Sequence, residues 1–298
     1  MPLSELEQLA LRYVPGEGPV SVERLGSGLV NESYRVARGA GLYSLRVPAQ
    51  NSADLGLDRA WERRVLELAT AAGIAPVVES YEARTGILVS RWVEGAAWTA
   101  EQVVRPENIE KIAQLARRVH SLPVPRAARI MGPASWIAYY RKALTRCGAD
   151  AHPALQSLLE ARFAALAKLP PHAPVLCHSD LHAQNLVVSD HGLVLLDWEY
   201  AHVSEPFWDL AGWAENNDLG AESRHLLLAS YLGREPAVQD AARLQLLQWL
   251  YGYVCLLWSE LHLTLKPGSA GEPAGEGIRT RAQSLAVRLR NDSGGRGG

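Results

Sequence analysis

Residues 178–185 read His-Ser-Asp-Leu-His-Ala-Gln-Asn, between an apolar run ending Val-Leu-Cys and another beginning Leu-Val-Val. A turn that only reversed the chain could be made from a glycine or proline pair. This loop spends two histidines, an aspartate and an asparagine instead, and the next strand-like run ends in Asp197-Trp198-Glu199. An aspartate, an asparagine five residues later and a second aspartate beyond a hairpin are the set that phosphoryl transfer needs. One carboxylate orients the attacking hydroxyl and takes its proton. An amide oxygen and a second carboxylate hold Mg²⁺, a hard cation that prefers oxygen ligands, against nucleotide phosphates. Asp180 is therefore the candidate base, with Asn185 and Asp197 as candidate metal ligands. Capping and turn formation explain any one of these residues but not their joint spacing.

The elements that must position this loop fall into two textures. The first 94 residues are expected to form an N-terminal lobe: a helix with a capping box at Ser4 and Glu7, then strands at 20–25, 32–38 and 42–47. A helix capped by Asp58 and stopped at Gly73 follows, and PVVESYEA and ILVSRWV complete a hairpin. From residue 95 to 298 helical patterns dominate, interrupted by the loop above and its hairpin LVV-SDHG-LVLLD. A Pro/Gly-rich linker is expected at 266–277, then a basic helix near 278–290 and a disordered tail at 291–298. No internal repeat is visible.

The 298 residues are 48% hydrophobic, enough for a large core. Thirty basic against 32 acidic residues, with no long basic run, leave no electrostatic footprint for nucleic acid or an anionic membrane. Cys147, Cys177 and Cys255 are scattered and odd in number, which suits a reducing compartment. With no signal-like start and no apolar run of spanning length, a cytoplasmic protein is expected.

HSDLHAQNLV followed by LLDWEYA resembles the catalytic motif of the aminoglycoside phosphotransferase and choline kinase superfamily. DWEYA is most similar to choline kinases and bacterial thiamine kinases. GSGLVNESYRV resembles their phosphate loop, LYSLRVP their third strand, and EPFWDLA and RRVHSLP also fit, so the likeness covers roughly residues 20–260. It implies an α+β, protein-kinase-like bilobal fold with a small β-rich N-lobe and a larger helical C-lobe. It also implies ATP as phosphate donor with Mg²⁺, and a small-molecule alcohol as acceptor.

Residue by residue, the resemblance makes Asp180 the base and Asn185 and Asp197 the metal ligands, braced by His178 and Asp209. Glu199 is assigned to a second metal or to the substrate, and His182 reads as a loop hydrogen-bonder. Nucleotide contacts are expected from Gly26, Ser27, Gly28, Asn31 and Ser33, and from Arg46, which stands where a protein kinase has lysine. Glu62 is the expected partner of Arg46, although one more surface carboxylate among Arg59, Arg63 and Arg64 is the plain alternative. Trp92 and Val93 fall in the expected hinge, with Trp92 either core or adenine wall.

For the acceptor, Trp213, Trp249, Tyr253 and Trp258 are candidates to hold a quaternary nitrogen by their faces. Core packing is the ordinary reading of aromatics at helical spacing. Acidic residues are sparser (Glu215, Asp218, Glu260), and Asn216 stands where relatives tend to carry glutamate. The lean is therefore to choline, ethanolamine or thiamine. The alternatives are an aminoglycoside or amino sugar, or a non-catalytic nucleotide-binding relative. A protein kinase is disfavoured because the chain has no DFG, no APE and no long activation segment.

Overall fold

The computed structural model describes residues 3–27, 30–48, 55–126, 128–149, 152–265 and 273–291. Helix α1 (Leu3–Tyr13) stacks Leu6 and Ala10 on one face, with Val14 just past its end. These three pack with Tyr34, Val36, Leu45, Ile87 and Val89 of a five-stranded antiparallel sheet. The sheet comprises β1 (Val20–Ser27), β2 (Asn31–Arg38), β3 (Gly41–Pro48), β4 (Val78–Glu82) and β5 (Ile87–Arg91), in the order β1-β2-β3-β5-β4. Alternation along β2 turns Tyr34 and Val36 inward. Because α1 already includes Leu3, Ser4 lies inside its first turn and does not cap it.

Helix α2 (Arg59–Ala71) follows the sequence signals closely. Asp58 accepts the N–H groups of Ala60 and Trp61 at 3.1 and 2.9 Å, and Gly73, at φ 65°, ends the turn. The glycine-rich turn is less complete: β1 shifts register between Arg24 and Gly26, and Gly28 lies outside the described residues.

Helices α3 (Ala100–Val103), α4 (Pro106–His120), α5 (Pro133–Arg146) and α6 (Gln156–Leu166) come next, then β6 (Val175–Cys177). The expected hairpin forms as β7 (Leu186–Ser189) and β8 (Gly192–Leu195). Beyond it the sequence reading missed β9 (His202–Ser204), three residues pairing antiparallel with β6. Helices α7 (Phe207–Asn216), α8 (Ala221–Leu232), α9 (Val238–Leu265) and α10 (Pro273–Asn291) complete the chain. Among the described residues no helix is long and apolar enough to cross a membrane.

The chain divides into two compact units, Met1–Trp98 with Gln184–Tyr200, and Thr99–Ala183 with Ala201–Gly298. A division by chain order at residue 94 keeps the hairpin with the second unit, whereas backbone bonds tie it to the first. Val188 N–H donates to Ala96 C=O at 2.9 Å, and Leu195 N–H to Ile74 C=O at 2.8 Å. Gly95 makes the approach possible: at φ 147°, a Cβ there would lie 2.2 Å from the Val188 carbonyl oxygen.

In the second unit α9 is apolar almost all round, as a helix packed by neighbours on several sides must be, and α5, α6, α7 and α10 pack on it. α10 starts earlier than composition implies. Pro273 opens the helix, so residues 273–277 of the expected linker are helical, while 266–272 and 292–298 lie outside the described residues. The buried stripe Ile278, Ala282, Leu285 and Leu289 accounts for this, since tertiary burial outweighs the low helix propensity of glycine.

Candidate functional site

In the first unit, β3 carries Arg46 and α2 carries Glu62 into the interior, where they are 7% and 1% exposed. Arg46 Nη1 lies 2.6 Å from Glu62 Oε1 and 3.2 Å from Asp197 Oδ1. Arg59 Nη1 donates to Glu62 Oε2 at 2.9 Å and to Glu199 Oε2 at 2.8 Å. Asn31 Nδ2 donates to the same Glu199 oxygen at 2.8 Å, and the Tyr81 hydroxyl donates to Glu62 Oε2 at 2.7 Å. Burial by itself would raise Glu62, but Arg46, Arg59 and Tyr81 outweigh it and hold the carboxyl below its ordinary range. Glu199 goes the other way, because burial and the Asp197 carboxylate raise it against the pull of both arginines.

The three carboxylates are not equivalent. The side chains of Glu62 and Glu199 are 1% exposed and that of Asp197 is 34%. Asp197 also holds a left-handed backbone at φ 55°, a conformation that costs a non-glycine residue about 1–3 kcal/mol. It opens onto a cavity of about 360 Å³ whose lining includes Ser33, Arg46, Trp92, Val93 and Asn185. Among the described residues Nε and Nη2 of Arg46 have no hydrogen-bond partner, and Arg46 belongs to the cavity lining. Trp92 is a half-buried wall residue with the Arg35 guanidinium 5.3 Å from its ring centre. Asn31 and Glu62 belong to the ionic group and not to the cavity lining, and the side chains of Gly26 and Ser27 are outside the described residues.

In the second unit the loop carrying Asp180 hangs from a buried carboxylate. Asp209 accepts the backbone N–H of His178 at 2.9 Å and of Ser179 at 2.7 Å. His120 Nε2 lies 3.0 Å from the same carboxylate, and its Nδ1 lies 2.8 Å from the Tyr231 hydroxyl. Burial would raise Asp209, yet these partners hold it below its ordinary range. Ser179 has φ 68°, so the residue before the candidate base, like the candidate metal ligand Asp197, is left-handed. His178 Nδ1 accepts the Asp180 N–H at 3.3 Å, and His182 Nε2 lies 3.4 Å from Asp180 Oδ2.

A family model described as a phosphotransferase enzyme family matches residues 21–247, most of the chain. The chain belongs to the phosphotransferase enzyme family. Protein LicA of Haemophilus influenzae is 36% identical over 55 residues, 18% of this chain and 21% of that protein. Thiamine kinase of Escherichia coli O6:K15:H31 is 45% identical over 65 residues, 22% of each chain. The chain therefore matches only about a fifth of the length of these curated relatives. The fold is similar to that of a choline/ethanolamine kinase family protein from Mesorhizobium loti, with TM-score 0.75 and 24% identity, covering 97% of this chain and 94% of that one.

The chain departs from the sequence reading at its aromatics. Trp213 and Tyr253 are fully buried and Trp249 is 3% exposed. Trp249 and Tyr253 stack with ring centres 5.7 Å apart, and Trp249 Nε1–H donates to the Leu289 carbonyl of α10 at 3.2 Å. These three pack as core residues by their burial, and α10 reaches Trp249 through the Leu289 carbonyl. Trp258 is half-buried and stacks on His262. Glu199 is 5% exposed and accepts from Arg59 and Asn31.

Other groups of the site could not be singled out by motif. Arg59 looked like one of several surface charges until the fold turned it inward. His120 was visible only as part of RRVHSLP, and Tyr81 and Tyr231 gave no local signal at all.

Proposed function

We propose that this phosphotransferase moves the γ-phosphoryl group of a nucleoside triphosphate, ATP in the simplest reading, to the hydroxyl of a small amino alcohol such as choline, ethanolamine or thiamine. The observation that carries the reading is Arg46, buried in the cavity lining, held by Glu62 through one nitrogen and with two donor nitrogens that have no partner among the described residues. A planar guanidinium with free donors is matched to phosphate oxygens.

In this reading Trp92 and Val93 border the base and Ser33 and Arg46 meet the phosphates. Asn185 and Asp197 supply hard oxygen donors in the same cavity lining, which fits Mg²⁺. Bound there, the ion would neutralise charge on the phosphates. Asp180 orients the acceptor hydroxyl and takes its proton. The left-handed backbone at Ser179 and at Asp197 aims these side chains at a stored cost, as strained functional residues do.

The amino-alcohol lean draws on the names of the relatives and on a motif, DWEYA, similar to theirs. One observation favours a second reading, an amino sugar. A polar pocket in the second unit is lined by Glu215, Asp218 and Glu276, three carboxylates suited to several ammonium groups, although Arg281 and Arg288 share it. The test is a nucleotide-consumption panel over choline, ethanolamine, thiamine, aminoglycosides and amino sugars with Mg²⁺. Turnover on an amino alcohol bears the proposal out. Turnover confined to amino sugars replaces it with the second reading, and none on any alcohol overturns both.

A further inference from the structure

The carbonyls on either side of Asp180 are held by one connected set of side chains. The Tyr251 hydroxyl of α9 donates to the Ser179 carbonyl at 3.3 Å. Asn216, at the end of α7, donates Nδ2 to the Leu181 carbonyl at 3.3 Å and to the Tyr251 hydroxyl at 3.2 Å. Arg281 of α10 in turn donates Nη2 to Asn216 Oδ1 at 2.6 Å.

The donors and acceptors close without conflict. The phenol's single proton goes to Ser179, its oxygen accepts from Asn216, and only one orientation of the amide serves all three neighbours. Burial above all keeps the Tyr251 phenol far above its ordinary range, so the donor survives at neutral pH. Ser179, left-handed at φ 68°, is tied at its N–H by Asp209 and at its carbonyl by Tyr251. Such double restraint is what keeps a strained residue in place. Gly212 of α7 leaves room for the phenol, since a Cβ there would lie 2.9 Å from the Tyr251 ring.

We propose that Tyr251, Asn216 and Arg281 form a clamp that positions Asp180, and that α10 enters the phosphotransferase machinery through it. Arg281 is then a positioning residue, acting through Asn216 on the loop backbone, with its charge also felt by Asp180. The catalytic consequence rests on the function proposed above. The hold on the loop does not.

The experiment pairs kinetics with backbone hydrogen exchange of residues 178–185 in the full chain, for Tyr251→Phe, Arg281→Met and Arg281→Lys. Arg281 is exposed, so its variants leave the core intact. Loss of orientation at a reacting group costs up to about 100-fold, so Tyr251→Phe and Arg281→Met should lower kcat by about 10- to 100-fold and hardly change KM for nucleotide. Exchange in the loop should rise in both, and Arg281→Lys, which keeps a donor for Asn216, should recover most of the loss. Wild-type exchange and kcat in Arg281→Met overturn the clamp. Faster exchange with unchanged kcat overturns its catalytic role. If the wild-type protein turns over no alcohol, the functional reading fails, and exchange alone decides whether the clamp exists.

Discussion

Arg46 Nη1 and Glu62 Oε1 lie 2.6 Å apart, with both side chains almost sealed from solvent. Removing one partner of a buried ion pair leaves a charge uncompensated and costs about 3–5 kcal/mol. Glu62→Ala is therefore expected to destabilise the protein towards that range, moderated because Asp197 also faces Arg46. Arg46→Lys keeps the charge but loses the fork, and nucleotide affinity should fall by about tenfold, roughly 1.4 kcal/mol. In a double-mutant cycle on nucleotide binding the pair should show a coupling of about 0.5–3 kcal/mol. Strict additivity would mean that Glu62 does not act through Arg46.

Asp180→Asn keeps the shape of the loop and removes the proposed base. Turnover should drop by about 10²–10⁴-fold, while nucleotide affinity, proposed to rest on groups in the first unit, stays near wild type. Single-turnover assays with isothermal titration separate the two quantities. Wild-type turnover in the variant would remove Asp180 from the chemistry.

Asp209 makes stability depend on pH with a definite sign. Its folded pKa is depressed despite burial, by His120 and by the loop N–H groups it accepts. A depressed acid contributes stability that is present above its unfolded pKa and lost as pH falls through its folded value. Asp209→Asn should lower stability at neutral pH by about 1.5–3 kcal/mol, the scale of hydrogen bonds to a charged group. The gap should narrow in acid. Denaturant melts from neutral pH down to about pH 3, below the usual aspartate range, check it. A gap that stays constant would show that the ionised carboxylate is not the source.

Trp249→Ala tests the reassignment of the aromatics. A large-to-small change at a packed tryptophan costs about 3–5 kcal/mol. The variant should lose stability, and at a temperature where it remains folded KM for the acceptor should change no more than KM for nucleotide. A selective rise in acceptor KM would return Trp249 to the acceptor surface.

The sequence alone carried the candidate constellation because its signal lies in local spacing. Asp180 and Asn185 share one loop, and Asp197 ends the hairpin that follows. The same holds for Asp58 as a cap and for the strand pairs of the first sheet, which alternation and turn residues specify within a few positions. The Arg46–Glu62 pair could be anticipated only through family likeness, and its burial gave it substance. What tertiary structure alone decided involves residues far apart in the chain. Arg59 turned from a surface charge into a bridge between Glu62 and Glu199, and β9 became a strand because β6 was there to pair with it. Trp249 and Tyr253 carried the same periodicity whether they faced a ligand or the core. Their burial, with α10 reaching Trp249 through the Leu289 carbonyl, came from the tertiary structure, since periodicity marks an apolar face without saying what covers it.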